Sequence, residues 1–343
     1  MESLAVKYRP KTFEEVCAQS VVIKILKKQL ETGKIAHAYL FAGSSGCGKT
    51  TLARILANEI NHGYGNPIEI DAASNNGVDQ VRAIVDSADQ RSLVGEYKIF
   101  IIDECHAITS QGWQAFLKGI EDCPEYTIYM FCTTEPNKVP PTIINRVQRY
   151  NINKIPLNLV ISRLQYICQQ ESYTNYTEAC DIIAKSAEGC MRDAIQLLDQ
   201  CASLSTDLSL SNIEEILGSN IYSTMFGLTW ALQQKDEGKI LEVVDGMYNT
   251  GKDLKNFIND YTAFVLDLKN FAIFGNINNT KIPPHLAAKD NNAVGYTLGQ
   301  VTDIHGWLST VLEGLISLKN QIRYDTSYKT TIEVCLLKLA RTA

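Results

Sequence analysis

The chain has 343 residues, of which 45% are hydrophobic, and a formal net charge of −6. That length exceeds what one hydrophobic core organises, so two or three domains are expected, and the acidic balance excludes a protein that coats nucleic acid by bulk charge. Ten cysteines stand singly in apolar segments without a C-x-x-C pair and five histidines show no ligand spacing, which excludes a disulfide framework and a cysteine-rich metal module.

The start, residues 1–11, is polar and basic without the apolar run of a secretion signal, and nowhere do roughly 18 apolar residues follow one another. A cytoplasmic protein with no membrane partner is expected. Residues 38–42, 68–71, 98–103 and 127–133 read as strands separated by amphipathic helical stretches, a pattern that predicts a parallel sheet flanked by helices. A break is expected after Tyr150, in N-I-N-K-I-P with its Pro156. Helical periodicity alone follows, over 157–171, 177–188, 191–203 and 212–217, as in a small all-α domain. Long helical periods resume at 240–248, 252–274 and 306–324, interrupted by N-N-T-K-I-P-P at 278–284. The expected division is an α/β domain over 1–155, a small helical domain over 156–219 and a third, all-α domain over 220–343. Through residue 154 there are 17 Lys and Arg against 17 Asp and Glu, whereas the remainder has 15 against 21. Any surface for a polyanion is therefore expected in the first part.

Residues 43–50 read G-S-S-G-C-G-K-T, between the first strand and a helical stretch starting at Thr51. Strand, glycine loop and helix in this order aim backbone N–H groups and a helix N-terminus at one point, where a polyphosphate fits. Gly43, Gly46 and Gly48 permit close approach of the backbone, with Ser44, Ser45 and Cys47 between them. Lys49 reaches the β- and γ-phosphates, and the Thr50 hydroxyl completes a Mg²⁺ shell. A nucleoside triphosphate is the expected ligand. The strand K-I-F-I-I ends in Asp103-Glu104, where one carboxylate supports Mg²⁺ and the other polarises an attacking water. Thr133 and Thr134 end the next strand, and sites of parallel sheets lie beyond such carboxyl ends. Arg146 and Arg192 are isolated arginines near element boundaries, and on residue chemistry alone surface ion pairs account for both.

Taken together, K-Y-R-P-K-T-F-E-E-V (7–16), H-A-Y-L-F-A-G-S-S-G-C-G-K-T-T (37–51), E-I-D-A-A-S (69–74), I-I-D-E-C-H (101–106), C-T-T-E-P-N-K-V-P (132–140) and A-E-G-C-M-R-D-A (187–194) closely resemble the γ/τ subunits of bacterial DNA polymerase III. These are AAA+ ATPases, the motors of sliding-clamp loaders. Residues 319–340 are similar to that family's last collar helix, so the resemblance covers nearly the whole chain.

The resemblance implies an AAA+ P-loop domain, a helical lid and a helical collar that joins subunits. It implies that Tyr8, Arg9, Pro10 and Val16 enclose adenine, that Lys49, Thr50, Asp103 and Glu104 form the hydrolytic core with Thr51 also binding the nucleotide, and that Thr134 is a first sensor. Arg192 is then a second sensor for nucleotide in the same subunit, and Arg146 an arginine finger for a neighbour's site, which requires an oligomer. DNA-facing positions correspond to Asn75, Asn76, Gly77, Lys118 and Thr142, and Arg82 lies near them in sequence. Three departures stand out. No four-cysteine zinc module follows the loop helix, since 61–67 is short, so zinc is not expected. The family's Ser-Arg-Cys reads Asn145-Arg146-Val147, and Asn75, Asn76 and Gly77 replace basic residues, so weaker and less salt-sensitive DNA contacts are expected there. The chain ends at the collar, which with the missing module points to a divergent or phage-encoded member.

The function implied is the ATP-driven motor of a clamp loader. It would act in an assembly, pentameric in this family, of copies of itself or of δ- and δ′-type subunits, with a sliding clamp and primer–template DNA as partners and ATP and Mg²⁺ as cofactors. Two other readings stay open at this level: another replication-associated AAA+ remodeller, and a non-hydrolysing scaffold subunit.

Overall fold

The computed structural model describes residues 2–209, 212, 219–249, 251, 253–276, 280, 282, 293–299, 303–323 and 325–342. It divides into two compact units, Met1–Leu210 and Ser211–Ala343.

In the first unit, five strands form one parallel sheet: β1 (Ala38–Gly43), β2 (Ile68–Asp71), β3 (Lys98–Asp103), β4 (Thr127–Thr133) and β5 (Gln148–Ile152), in the order β2-β3-β4-β1-β5. Apolar runs in β1, β3 and β4 are buried on both faces, as a helix-covered parallel sheet requires. Side chains alternate between two cores. Tyr39, Phe41, Ile101 and Met130 face α3 (Lys49–Ile60), whose Leu52, Ile55 and Leu56 meet them. Leu40, Phe100, Ile102 and Phe131 face the opposite way, onto a layer holding Val81 of α4 (Val78–Ala88) and Trp113 and Phe116 of α5 (Ser110–Glu121). The parallel α/β architecture expected from the strand–helix alternation is thus present. Two helices precede β1, α1 (Leu4–Lys7) and α2 (Ser20–Thr32), and α6 (Pro141–Ile144) precedes β5.

β5 corrects the sequence reading. The chain does not break after Tyr150 but stays extended through Ile152, paired with β1 from Tyr39↔Gln148 to Gly43↔Ile152. As an edge strand it buries only Tyr150 and Ile152, so its sequence carries little of an apolar run. The register beside β1 decides it.

Beyond Pro156, α7 (Leu157–Gln170), α8 (Thr177–Ser186) and α9 (Met191–Leu204) pack on one another, their ends within two residues of the predicted ones. Val160, Leu164, Ile183 and Leu198 lie fully buried there. The N-terminal segment crosses this bundle: α1 packs on α9, and the Leu4 N–H donates to Asp199 Oδ2 at 3.2 Å.

The second unit is helical throughout its described residues: α10 (Ser219–Gln234), α11 (Glu237–Asn249), α12 (Leu254–Phe274), α13 (Ala293–Gly299), α14 (Ile304–Ile322) and α15 (Tyr328–Thr342). One apolar core joins them, with Tyr261 of α12 fully buried and its hydroxyl 3.0 Å from Thr229 Oγ1. Residues 319–340, read as one collar helix, are instead the end of α14 and most of α15. The cause is local. Asp325 accepts from the Ser327 N–H at 2.8 Å and from the Thr331 hydroxyl, which starts a new helix rather than continuing the old one. Most of the predicted helix at 212–217 and most of the loop at 278–284 lie outside the described residues. Among the described residues no helix is long and apolar enough to cross a membrane.

Candidate active site

β1 delivers the loop at the carboxyl end of the sheet, and α3 begins at Lys49. Two glycines there have positions that a side chain would not tolerate. Gly48 precedes the helix at φ +101°, in the left-handed region. Gly46 has φ +64°, and a Cβ added to it would lie 2.0 Å from Cys190 Sγ and 3.2 Å from the Arg192 Cβ. The loop therefore packs directly on the start of α9. The Cys47 thiol adds a long contact of 3.8 Å, donating to the Gly189 carbonyl. Burial pushes the Cys47 thiol up and the Cys190 thiol to about 11, which keeps both neutral beside a site for anions.

Lys49 is only 6% exposed, and its ammonium donates to the Ser44 carbonyl at 3.0 Å, curling back over the loop. The Thr50 hydroxyl donates to Asp103 Oδ2 at 2.7 Å, so the helix start meets the end of β3. Asp103 Oδ1 accepts from the Glu104 N–H at 3.0 Å. Glu104 stands at φ +46°, a strained conformation for a residue other than glycine, costing about 1–2 kcal/mol. Its carboxylate accepts from the Thr134 hydroxyl at 3.2 Å. Of the two threonines ending β4, Thr134 thus reaches Glu104, whereas Thr133 is buried and accepts from the Glu135 N–H at 3.0 Å.

The same cleft is walled by Tyr8, Arg9, Pro10 and Val16 from the N-terminal segment and by Arg163 and Arg192 from the helical bundle, with Ser45 and Thr51 on the loop side. Tyr8 is fixed from two sides. Its hydroxyl donates to Glu171 Oε1, which also pairs with Lys7 at 2.6 Å, and its carbonyl accepts from the Arg163 guanidinium at 2.9 Å. Burial first, then the Glu171 hydrogen bond, push the Tyr8 phenol up to about 12. Burial, followed by the Arg54 guanidinium and with Arg192 acting the same way, lowers Arg9 from its ordinary value, against the pull of Glu69 and Asp103. Among the described residues neither Arg9 nor Arg192 has an ion-pair partner. The cleft thus offers two free guanidiniums. Arg163 and Glu171 escaped the sequence reading because no local pattern marks them; they reach Tyr8 from more than 150 residues away.

These side chains fit a Mg²⁺–nucleotide complex by donor chemistry. The Thr50 hydroxyl and the Asp103 carboxylate are hard oxygen donors beside an anion-seeking loop, as Mg²⁺ prefers. Among the described residues no group of three or more His, Cys, Asp or Glu is assembled as a metal site of another kind.

Residues 18–76 and 66–156 match the family described as DNA polymerase III, delta subunit, and residues 160–207 match DNA polymerase III clamp loader subunit, ATPase lid domain. The chain is 35% identical over 284 residues to DNA polymerase III subunit tau of Bacillus subtilis (strain 168), an alignment covering 76% of this chain and 50% of that protein. It belongs to the DNA polymerase III gamma/tau family. The gamma/tau subunit of Mycobacterium tuberculosis (strain H37Rv) is 33% identical over 287 residues, covering 76% of this chain and 50% of its own. The tau subunit of Escherichia coli (strain K12) is 27% identical over 363 residues, covering 98% and 54%. The chain spans about half the length of the curated relatives it matches. Among solved structures, the Thermotoga maritima RuvB Holliday junction branch migration motor superposes with a TM-score of 0.52 at 21% identity, covering 62% of this chain and 72% of that one. A point mutant of the same RuvB does so at 0.52 and 19%, covering 82% and 91%. At such identity the likeness is one of fold, that of an AAA+ domain.

The positions that the family suggests for neighbours and DNA lie elsewhere. Arg146 does not line the cleft of its own chain: it donates to the Thr142 carbonyl at 2.9 Å and pairs with Glu121 at 2.6 Å, both ends 40% or more exposed. Glu121 and the exposed Lys118 are three residues apart on α5, which places Lys118, Thr142 and Arg146 in one neighbourhood. Asn75 donates its side-chain N–H to the Asp71 carbonyl at 3.0 Å, and the Asn76 carbonyl accepts from the Thr109 N–H at 3.2 Å. Gly77 precedes α4, and Arg82 lies 3.5 Å from Asp79 on the surface. The Asn75 side-chain amide is thus used in shaping the turn, as is the backbone carbonyl of Asn76.

Proposed function

We propose that this chain is the ATP-hydrolysing motor subunit of a sliding-clamp loader. The observation that carries it is the joining of Thr50 to Asp103 and of Thr134 to Glu104 in one cleft with the phosphate loop and two unpaired guanidiniums. A glycine loop alone binds phosphate. A loop whose far wall holds an aimed carboxylate also supports hydrolysis.

In this reading the loop N–H groups and Lys49 hold the phosphates, and Tyr8, Arg9, Pro10 and Val16 close over the base and sugar. Thr50 and Asp103 would hold Mg²⁺, which when bound neutralises phosphate charge. Glu104, kept in line by Thr134, orients and deprotonates the attacking water. Arg192 reads the nucleotide within the chain, and Arg146 serves the site of a neighbouring subunit, where a guanidinium spans developing phosphoryl charge. The α/β domain is followed by a lid over 156–219 and a collar over 220–343 that gathers several subunits. ATP favours the assembly state that grips and opens the clamp, and primer–template DNA at Asn75, Asn76, Gly77, Arg82, Lys118 and Thr142 favours the hydrolytic alignment that releases it, a population shift in each case. The setting is the cytoplasm.

ATP hydrolysis by the purified chain with its partner subunits, with and without clamp and primed DNA, tests this. Stimulation by both, abolished in Lys49→Ala, is expected; an assembly that binds clamp but hydrolyses nothing would make the chain a scaffold.

A further inference from the structure

Glu104 touches a second side chain besides Thr134. His106 sits in the short turn Cys105–Ala107 directly after β3 and is 19% exposed. Its Nδ1 lies 3.3 Å from Glu104 Oε2 and 3.2 Å from Thr133 Oγ1, while its Nε2 lies 3.4 Å from Glu135 Oε1. Glu135 is in turn tethered to Lys138 at 2.8 Å, and its own N–H donates to Thr133. The imidazole therefore bridges the ends of β3 and β4, with one nitrogen on the carboxylate at the phosphate loop and the other on an anchored surface carboxylate.

We infer that His106 is a positioning residue that holds the Glu104 carboxylate in its hydrolytic orientation, with Glu135 fixing the ring. The inference rests on Glu104 acting on the attacking water. Glu104 is 38% exposed and has several rotatable bonds, so a single hydrogen bond from Thr134 leaves its second degree of orientation open. A second contact on the same oxygen, from a ring that is itself held at both nitrogens, removes that freedom. In the tautomer with its proton on Nδ1, that N–H faces Glu104 Oε2 3.3 Å away. Displacement of a reacting group by about 1 Å costs on the order of 100-fold in rate. Loss of the ring therefore lowers turnover, not nucleotide binding.

The two nitrogens can be tested separately. An asparagine amide can replace Nδ1–H toward Glu104, whereas a glutamine amide reaches the place of Nε2. Steady-state hydrolysis by the full chain with partner subunits, clamp and primed DNA is compared with the Kd for a fluorescent ATP analogue and with thermal unfolding. For His106→Ala, kcat is expected to fall about 10- to 100-fold with KM and Kd changed less than about twofold. His106→Asn is expected to recover most of the loss and His106→Gln to stay near alanine. Wild-type kcat in His106→Ala, or equal kcat in the Asn and Gln variants, overturns the positioning role alone. A matching loss of nucleotide affinity and melting temperature in all three overturns it too, by showing a structural role. A wild-type assembly without hydrolysis would instead remove the motor function and this inference with it.

Discussion

The cleft at the phosphate loop and the surface around Arg146 are built on opposite terms. In the cleft, most of the groups are held by a second one, Thr50 by Asp103, Glu104 by Thr134, Lys49 by the Ser44 carbonyl and Tyr8 by Glu171 and Arg163, while Arg9 and Arg192 stay open toward it. Arg146 is instead held by an exposed ion pair with Glu121. Exposed pairs of this kind are worth about 0–1 kcal/mol, so exchange of Glu121 for another anion costs little. On the proposed function, the site read within one chain is prebuilt, while the group offered to another molecule stays where it can be surrendered.

The strongest way to break this comparison is Arg146→Ala. In the assembled loader, clamp- and DNA-stimulated hydrolysis is expected to fall on the order of 1,000-fold with ATP binding kept, and full activity would leave Arg146 a surface residue. Glu104→Gln comes next. Single-turnover hydrolysis should drop roughly 100- to 1,000-fold while the Kd for ATP holds, because the amide keeps the contacts but no longer takes a proton.

Gly46→Ala probes the prebuilt side through packing. The added methyl meets Cys190 Sγ at a φ that favours glycine, so unfolding free energy should fall by about 2–3 kcal/mol, measured by urea denaturation. Cys190→Ala in the same chain should restore part of that, since it removes the sulfur but not the backbone strain. A double variant no more stable than the single one would mean that the loop and α9 do not press on each other.

The smallest effect belongs to Glu171→Gln and is best seen through pH. Hydrogen bonds from Lys7, the larger cause, and from Tyr8 hold the Glu171 carboxyl below its ordinary value of 4.5. A carboxyl depressed in the folded state stabilises the fold above its unfolded value and loses that contribution as pH falls through the folded one. The melting temperature of wild type should therefore exceed that of Glu171→Gln near neutrality, and the gap should close as pH falls below the ordinary carboxyl value of 4.5. A gap that persists in acid would assign the difference to packing.

Much of this molecule is legible along the chain itself. The apolar runs of β1, β3 and β4, the glycine loop and the acids ending β3 are short-range patterns, set by backbone sterics and by which residues bury next to which. They were enough to place the parallel sheet, Lys49, Thr50, Asp103 and Glu104 at its carboxyl edge, and the three helices beyond Pro156. The tertiary structure alone decided which distant groups meet. β5 is a strand only because β1 offers it a hydrogen-bonding edge. Gly46 must be glycine because α9 begins against it, and Arg146 faces Glu121 rather than its own cleft. In each case the deciding partner is brought by packing between elements, a proximity that no local periodicity encodes.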